Sequence, residues 1–316
     1  MKIIFAGTPD FATKHLEIVL KSRHDIACVL TQPDRKSGRG KQVRPTPVKE
    51  LALEKKISIL QPSSLKTDEI TDKLIDLNPD IILVVAYGLL IPKRILDIPS
   101  RGCINVHASI LPRWRGASPM EYSILSGDKE VGISYMEMAE GLDEGPVYET
   151  HKSDLSSDDN LKGVETKLIQ LSEASLNTFL DNIEKGNIRP QKQDEKEVTF
   201  APKISKNLLQ IDWQNETSKE VVRKVNALGS KYGTYTFLGK KRIKIYEAKE
   251  CRSELSLNPG EIHLSKEGMV IFCSDGSSIL TNIIQMQGKN IVTGKEFITG
   301  YGDLLGIHKN FKYATQ

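Results

Sequence analysis

Short apolar segments alternate with helical segments in the first third of the chain, and this pattern restricts the fold more than any other feature. Four segments are apolar on both faces, namely Lys2–Ala6, Ile26–Thr31, Ile81–Ala86 and Cys103–His107. Amphipathic helices are predicted between them, over residues 10–22, 48–56 and 68–77. Strands that are apolar on both faces are typical of parallel sheets covered by helices, so the pattern predicts a Rossmann-like α/β domain.

The pattern changes after a polar, charged segment over residues 190–206, which we interpret as a linker. Beyond it, short alternating segments are separated by turns, and a single helix is predicted over residues 215–228. Five strands are predicted there, over residues 235–238, 242–246, 260–264, 269–273 and 278–283. The sequence thus predicts a catalytic α/β domain over residues 1–189 and an OB-like β-barrel over residues 207–316.

The composition is that of a folded globular protein, with 39% hydrophobic and 27% charged residues among 316. The net charge is only +3, but residues 207–316 hold 15 Lys and Arg against 11 Asp and Glu. The positive surplus therefore lies in the C-terminal third. It favours a surface that binds a polyanion, and a solvated basic face remains the alternative.

The sequence argues against a disulfide-rich, a zinc-binding, a secreted and a membrane-spanning protein. Its four cysteines are far apart and form no CxxC pair, so neither a disulfide framework nor a zinc site is predicted. The first turn, Gly7-Thr8-Pro9-Asp10, is not a GxGxxG loop, which argues against a dinucleotide cofactor, and no GxxxxGKS or GxxxxGKT motif occurs. The N-terminal apolar run is too short for a signal peptide, and no apolar run reaches the roughly 18 residues of a spanning helix. We therefore expect a cytoplasmic protein.

An amide and an imidazole, Asn105 and His107, are two residues apart at the end of the last predicted parallel strand. Both side chains then leave the same face of that strand. A carboxylate, Asp143, lies in a glycine-flanked turn that can reach them. Such a trio suits acyl transfer, in which the amide stabilises an oxyanion, the imidazole moves protons and the carboxylate orients it. From spacing alone, a structural role is the commoner one for such residues and remains the alternative.

A basic loop follows the second predicted strand. Residues 35–44 contain five cations and no acid, with Gly38 and Gly40 among them. Contact with phosphates is one interpretation, and a solvated loop is the other. A second basic run, Arg113-Trp114-Arg115, follows the Asn105–His107 segment, and its aromatic ring either stacks on a base or packs against the first helix.

These segments, with several others, occur in the order seen in a known family. The matching segments are 1–11, 32–35 with 38–40, 47–49, 85–89, 102–109, 111–117 and 141–145. The chain resembles the methionyl-tRNA formyltransferase family over nearly its whole length, with the motifs concentrated in residues 1–150. The combination is more specific than the trio, which other enzymes that use 10-formyltetrahydrofolate share.

The resemblance implies transfer of a formyl group from 10-formyltetrahydrofolate, the co-substrate, to the free amino group of methionyl initiator tRNA. The product would be the N-formylmethionyl-tRNA of translation initiation. The resemblance implies that the catalytic residues are Asn105, His107 and Asp143. It implies a folate-binding segment whose Ile110 replaces the family's usual Leu, a change that conserves volume. That segment comprises Ser109, Ile110, Leu111 and Pro112.

The resemblance also implies a tRNA partner, bound by the basic loop and by the C-terminal barrel. The loop residues expected to bind tRNA are Arg35, Lys36, Arg39, Lys41 and Arg44. We expect a monomer with no metal, no nucleotide cofactor and no membrane association. The chain departs from the family at residues 228–235, where an Asn-Pro-Trp-Pro-type run is more usual, and at Glu144, where a small hydroxyl residue is common.

Two other functions fit parts of this pattern. A formyltransferase or formyl-folate hydrolase acting on a small molecule would share the trio but would need neither the basic loop nor the barrel. A non-catalytic RNA-binding protein on an enzyme scaffold would not need Asn105, His107 and Asp143 intact.

Overall fold

The computed structural model of the chain describes residues 1–37, 42–307 and 311–312. The first part of the chain alternates strands and helices as the apolar pattern predicts. Its strands and helices are β1 (Lys2–Gly7), α1 (Asp10–Leu20), β2 (Asp25–Leu30), β3 (Arg35–Ser37), β4 (Gln42–Arg44), α2 (Pro47–Glu54), β5 (Ile59–Leu60), α3 (Asp68–Asp76), β6 (Ile81–Val85), α4 (Lys93–Leu96), β7 (Cys103–His107), β8 (Arg115–Gly116), α5 (Pro119–Ser126), β9 (Glu130–Glu137), β10 (Val147–Asp154), α6 (Leu161–Lys185) and β11 (Phe200–Ala201).

The second part contains mainly strands. Its elements are α7 (Ser218–Tyr232), β12 (Thr234–Leu238), β13 (Lys241–Cys251), β14 (Ile262–Leu264), β15 (Met269–Phe272), β16 (Ser278–Met286), β17 (Ile291–Thr293), α8 (Gly294–Ile307) and β18 (Phe311–Lys312). The chain divides into two compact units. Unit 1 comprises residues 1–119, 130–154 and 165–201, and unit 2 comprises residues 120–129, 155–164 and 202–316.

Unit 1 is built on a seven-stranded sheet with the order β10-β9-β7-β6-β1-β2-β5. The five strands from β7 to β5 are parallel, which confirms the predicted Rossmann-like arrangement. β9 and β10 are antiparallel additions at one edge, and the loop over residues 138–146 joins them. All five residues of β6 are buried, because helices cover both faces of the sheet.

Unit 2 is an antiparallel sheet with the order β14-β15-β16-β13-β12-β18, and β17 pairs with β16. The five predicted strands are all present, and the predicted α/β plus OB-like β fold class is confirmed. The helix begins three residues later than predicted because Thr217 caps it, in a capping box with Glu220. It ends at Gly233, whose φ of 78° suits a glycine.

The segment predicted as a linker contacts unit 1 over part of its length. Val147 and Gln191 form an isolated β-bridge, and β11 pairs in parallel with β8. The predicted division at residues 190–206 stays a prediction. Among the described residues, no helix combines the length and the apolar character that crossing a bilayer requires.

A fully buried imidazole, His15, lies on α1 in unit 1. Its Nδ1 donates to the Phe11 carbonyl oxygen at 2.7 Å, and its Nε2 accepts from the Ser172 hydroxyl at 2.9 Å. A backbone carbonyl can only accept, so this pair of partners defines the neutral tautomer. Burial lowers the pKa of His15 from 6.5 to about 4.

This imidazole should make unfolding depend on pH. Between pH 6.5 and 4 the unfolded chain takes up a proton that folded His15 refuses, so its contribution is complete above pH 6.5 and is lost as the pH falls. At pH 5 the loss amounts to about 2 kcal/mol. We expect His15→Gln, although less stable at pH 7, to lose about 2 kcal/mol less than the wild type between pH 7 and 5. Urea unfolding at the two pH values measures this, and equal losses would contradict it.

Candidate active site

The carboxyl end of β7 places Asn105 and His107 on one face of the strand, as their spacing predicts. Asp143 approaches from the turn between β9 and β10. The Asn105 Nδ2 atom lies 3.4 Å from the Asp143 Oδ1 atom, and the His107 Nδ1 atom lies 3.7 Å from the Asp143 Oδ2 atom. The structure thus brings the three predicted catalytic residues together around one carboxylate.

The other nitrogen of His107 is already occupied. Its Nε2 atom lies 3.0 Å from the Trp114 carbonyl oxygen, in a buried contact. Because that oxygen only accepts, Nε2 carries a proton, and the neutral ring has its lone pair on Nδ1. Nδ1 faces Asp143, so a proton taken up there lies next to a carboxylate.

The Asp143 turn is held by groups that the sequence pattern does not reveal. Its Oδ2 atom accepts the Gly116 backbone N–H at 2.9 Å. The Gln193 side-chain amide donates to the carbonyl oxygens of Asp143 and Gly145, at 2.8 and 2.7 Å. The Gln193 Oε1 atom accepts in turn from the Arg115 Nε atom at 3.0 Å. Gln193 lies in the polar segment predicted as a linker, where no periodicity marks it.

Three non-glycine residues near this edge of the sheet have left-handed backbone conformations. They are Ala86 at the end of β6, Trp114 and Asp143, with φ of 45°, 64° and 49°. Aspartate tolerates this conformation, but alanine and tryptophan rarely adopt it. Such residues are enriched at functional sites, where the surrounding contacts enforce the strain.

The predicted folate segment directly follows His107. The Ser109 hydroxyl donates to the Arg113 carbonyl oxygen at 2.6 Å, and the Leu111 backbone N–H donates to the Ser134 hydroxyl at 3.1 Å. Ser109 and Leu111 are buried, whereas Ile110 and Pro112 are partly exposed. Hydrogen bonds thus hold Ser109 and Leu111 in place, while Ile110 and Pro112 are the members of the segment that remain accessible.

Two of the five predicted tRNA-binding residues face each other on a small hairpin. Arg35 of β3 pairs with Arg44 of β4, and both are exposed. Lys36 lies on β3, while Arg39 and Lys41 fall outside the described residues. The hairpin starts at Asp34, which accepts from Lys49 Nζ at 2.6 Å and from Gln61 Nε2 at 2.7 Å. These two hydrogen bonds lower the pKa of Asp34 and anchor the base of the hairpin.

One cluster elsewhere in unit 1 has the side chains of a metal site. His24, Asp181 and Glu184 bring possible ligand atoms within 4.8 Å of one another. The Arg23 guanidinium, however, forms ion pairs with both carboxylates. Because a protein cation already neutralises these acids, the cluster is explained as an ion-pair network.

Comparisons with known proteins identify the family of the chain. A family model described as formyl transferase matches residues 1–180, and the model of the formyl transferase C-terminal domain matches residues 203–302. The chain therefore belongs to the formyl transferase family and is an enzyme of that class.

Two relatives make the membership more specific. The methionyl-tRNA formyltransferase of Coxiella burnetii is 40% identical over 307 residues, covering 96% of this chain and 97% of the relative. That of Pseudoalteromonas translucida is 39% identical over 306 residues, covering 96% and 95%. Within its family the chain thus belongs with the methionyl-tRNA formyltransferases, and the resemblance found in the sequence is confirmed.

A solved structure supports the fold. HypX from Aquifex aeolicus in complex with tetrahydrofolic acid matches with a TM-score of 0.63 at 18% identity. The match covers 96% of this chain but only 47% of HypX, so the chain spans about half of that protein.

Proposed function

We propose that the enzyme transfers the formyl group of 10-formyltetrahydrofolate to the α-amino group of methionyl initiator tRNA. The observation that carries the proposal is the meeting of Asn105, His107 and Asp143 at the carboxyl end of β7. Sites in such sheets lie at this edge. The 40% identity to a methionyl-tRNA formyltransferase over nearly the full length supports the choice of acceptor.

The proposed reaction forms one C–N bond and breaks another. The neutral α-amine attacks the formyl carbon, and the carbonyl oxygen becomes an oxyanion. Asn105 donates one of its two amide N–H groups to that oxyanion, while the other points to Asp143. Collapse of the intermediate breaks the bond to N10 of the folate.

His107 carries the proton in this scheme. The attacking nitrogen gains a positive charge and must lose one proton, whereas the departing N10 must gain one. The Nδ1 atom of His107 accepts the first proton and returns it to N10, so atoms and charge balance. The Asp143 carboxylate, 3.7 Å away, stabilises the imidazolium and keeps the ring oriented.

The residues near the trio fit an aromatic, partly polar donor such as a pterin. We propose that Ser109, Ile110, Leu111 and Pro112 form one wall of its pocket, with their exposed apolar atoms against the ring. Tyr87, just after β6, has a buried hydroxyl without a hydrogen-bond partner among the described residues. Tyr87 lies in a buried apolar cluster with Leu65 and Val84, so a bound water is the partner that its hydroxyl can accommodate there.

We propose that the basic hairpin binds tRNA phosphates. Replacing Arg35 and Arg44 by Ala should raise the KM for tRNA roughly tenfold. It should also lower the slope of the logarithm of the binding constant against the logarithm of the salt concentration by about two. The KM for the folate donor should not change. Initial rates and binding at several salt concentrations measure these effects, and the same result is expected for Arg39→Ala with Lys41→Ala.

A matched control removes two exposed charges elsewhere in unit 1. Lys73→Ala with Lys93→Ala changes the net charge equally, on α3 and α4. If this control raises the KM for tRNA as much as the hairpin variant, only the net charge matters and the hairpin assignment is wrong.

One assay tests the proposed function as a whole. The purified enzyme is incubated with 10-formyltetrahydrofolate and initiator tRNA charged with methionine, and formyl-methionine is measured. Formylation of the charged tRNA, without product from free methionine, is the expected result. Release of formate and tetrahydrofolate in the absence of tRNA would identify a hydrolase instead.

The division into domains at residues 1–189 and 207–316, the monomeric state and the cytoplasmic location remain part of this proposal. Sedimentation of the enzyme with and without tRNA tests the monomeric state. A monomer is expected to bind one tRNA for each chain.

A further inference from the structure

We propose that the outer face of the β12–β13 hairpin in unit 2 is a stacking surface for unpaired RNA nucleotides. This inference rests on the proposed function, since the RNA it would bind is the tRNA substrate. We call this surface the aromatic–cation face. Its residues are Tyr235, Phe237, Arg242, Lys244 and Tyr246.

The alternation of the two strands separates this face from the core. On β12, Thr234, Thr236 and Leu238 are buried, whereas Tyr235 and Phe237 between them are partly exposed. The same alternation holds on β13, where Ile243 and Ile245 are buried in the core of unit 2. The aromatic rings are therefore not part of that core. An antiparallel sheet with one buried face ordinarily has polar residues on its other face, so aromatic rings there are unusual.

The strand register brings the rings and the cations together. Tyr235 is paired with Lys244, and Phe237 is paired with Arg242. The Arg242 guanidinium carbon lies 4.5 Å from the centre of the Tyr235 ring and 5.8 Å from that of Phe237. The two rings are themselves 5.7 Å apart and nearly perpendicular. The Lys244 ammonium lies 5.9 Å from the Tyr246 ring.

The part of the β12–β13 hairpin nearest its turn carries charge of one sign only. Residues 234–246 contain four Lys and Arg and no Asp or Glu. Lys240 and Lys241, in the hairpin turn and at the start of β13, are exposed. Tyr246 is oriented by its hydroxyl, which donates to the Gln285 Oε1 atom on the neighbouring strand at 2.8 Å.

Rings interleaved with cations match the chemistry of single-stranded nucleic acid. Every base has an aromatic face that stacks on Tyr, Phe or a guanidinium plane, and the adjacent phosphates attract Arg and Lys. Bases inside an RNA duplex are already stacked, so the surface suits unpaired nucleotides of a loop or of a single-stranded end. A phosphate-only surface would need the cations but not three rings.

The contributions of the rings and of the cations can be distinguished by how RNA binding depends on salt concentration. The test measures fluorescence anisotropy of a labelled, uncharged initiator tRNA transcript with the full-length enzyme. Tyr235→Leu with Phe237→Leu keeps apolar side chains and removes the rings, so affinity should fall about tenfold with an unchanged salt slope. Arg242→Gln should weaken binding roughly fivefold and lower the salt slope by about one.

Lys266→Gln is the matched control, because it removes one exposed charge elsewhere in unit 2. It should bind within about twofold of the wild type. Thermal melting shows whether each variant is folded, and Arg242, being exposed, is replaced without loss of core contacts. Normal affinity of the ring variant overturns the proposal, and so does a loss in Lys266→Gln equal to that in Arg242→Gln.

Formylation by the wild-type enzyme separates this proposal from the proposed function. If the wild type formylates methionyl-tRNA while the ring variant binds RNA normally, the aromatic–cation face is rejected and the function stands. If the wild type does not formylate but RNA binding depends on the rings, the function is rejected and the face stands.

Discussion

Asn105→Ala should lower kcat by about 10²–10³ while the KM values for tRNA and folate change little. In the proposed mechanism the hydrogen bond from the Asn105 amide becomes strong only when the carbonyl oxygen becomes an oxyanion. Loss of this hydrogen bond therefore raises the energy of the transition state more than that of the bound substrates. Steady-state kinetics with each substrate varied in turn measures both parameters.

The fold should tolerate this change. Asn105 is only partly buried, and the hydrogen bond from its side chain to Asp143 is long at 3.4 Å. Asn177→Ala is the matched control, because Asn177 of α6 is also half-buried and donates to a backbone carbonyl, that of Ile18, at 3.1 Å. The control should lose stability but keep kcat. A kcat for Asn105→Ala within threefold of the wild type would reject the role given to this amide.

Asp143→Asn should lower kcat by about 10²–10³ as well, although the side chain keeps its size. The carboxylate faces His107 Nδ1 and accepts the Gly116 N–H, so it acts on the residue that carries the proton. The neutral amide retains an acceptor for Gly116 but no longer stabilises a positive imidazole. Single-turnover measurement of formyl transfer isolates this chemical step from product release.

Asp80→Asn is the matched control for charge and burial. Asp80 is half-buried and its Oδ2 atom accepts the Lys2 backbone N–H, at the edge of the sheet where β6 begins. This variant removes a carboxylate of similar burial that does not lie at the carboxyl ends of the strands. If both variants lose activity equally, the effect of Asp143→Asn reflects structural damage, and the proposed role of Asp143 is wrong.

Much of the fold could be predicted because the pattern of apolar residues in a short segment indicates which of its faces are buried. A strand such as Ile81–Val85 is apolar at every position, and this alone predicts a central parallel strand. The ends of helices were harder to predict, since they depend on single residues. The predicted helix begins at Asn215, but Thr217 caps α7 and starts it at Ser218.

The candidate site was predictable in part. Asn105 and His107 lie on one strand, so their spacing predicts a common face. Asp143 is 38 residues from Asn105, so the glycine-flanked turn only indicated that it can reach the pair, and the resemblance to a family then implied its role. Gln193 lies 50 residues beyond Asp143 in a polar segment without periodicity, and the sequence contains no local signal for its two hydrogen bonds.

By itself, then, the sequence determined the alternating sheet of unit 1, the strands of unit 2, and the family that carries the Asn105, His107 and Asp143 motif. Local periodicity suffices for the two sheets, because it records which face of each segment is buried, and the order of the motifs along the chain carries the resemblance to the family. Only the tertiary structure decided that the Trp114 carbonyl occupies His107 Nε2 and leaves Nδ1 facing Asp143. It also decided that Tyr235, Phe237 and Arg242 meet on one face. Hydrogen-bond partners and cross-strand neighbours depend on how distant segments pack, and no short stretch of sequence records that.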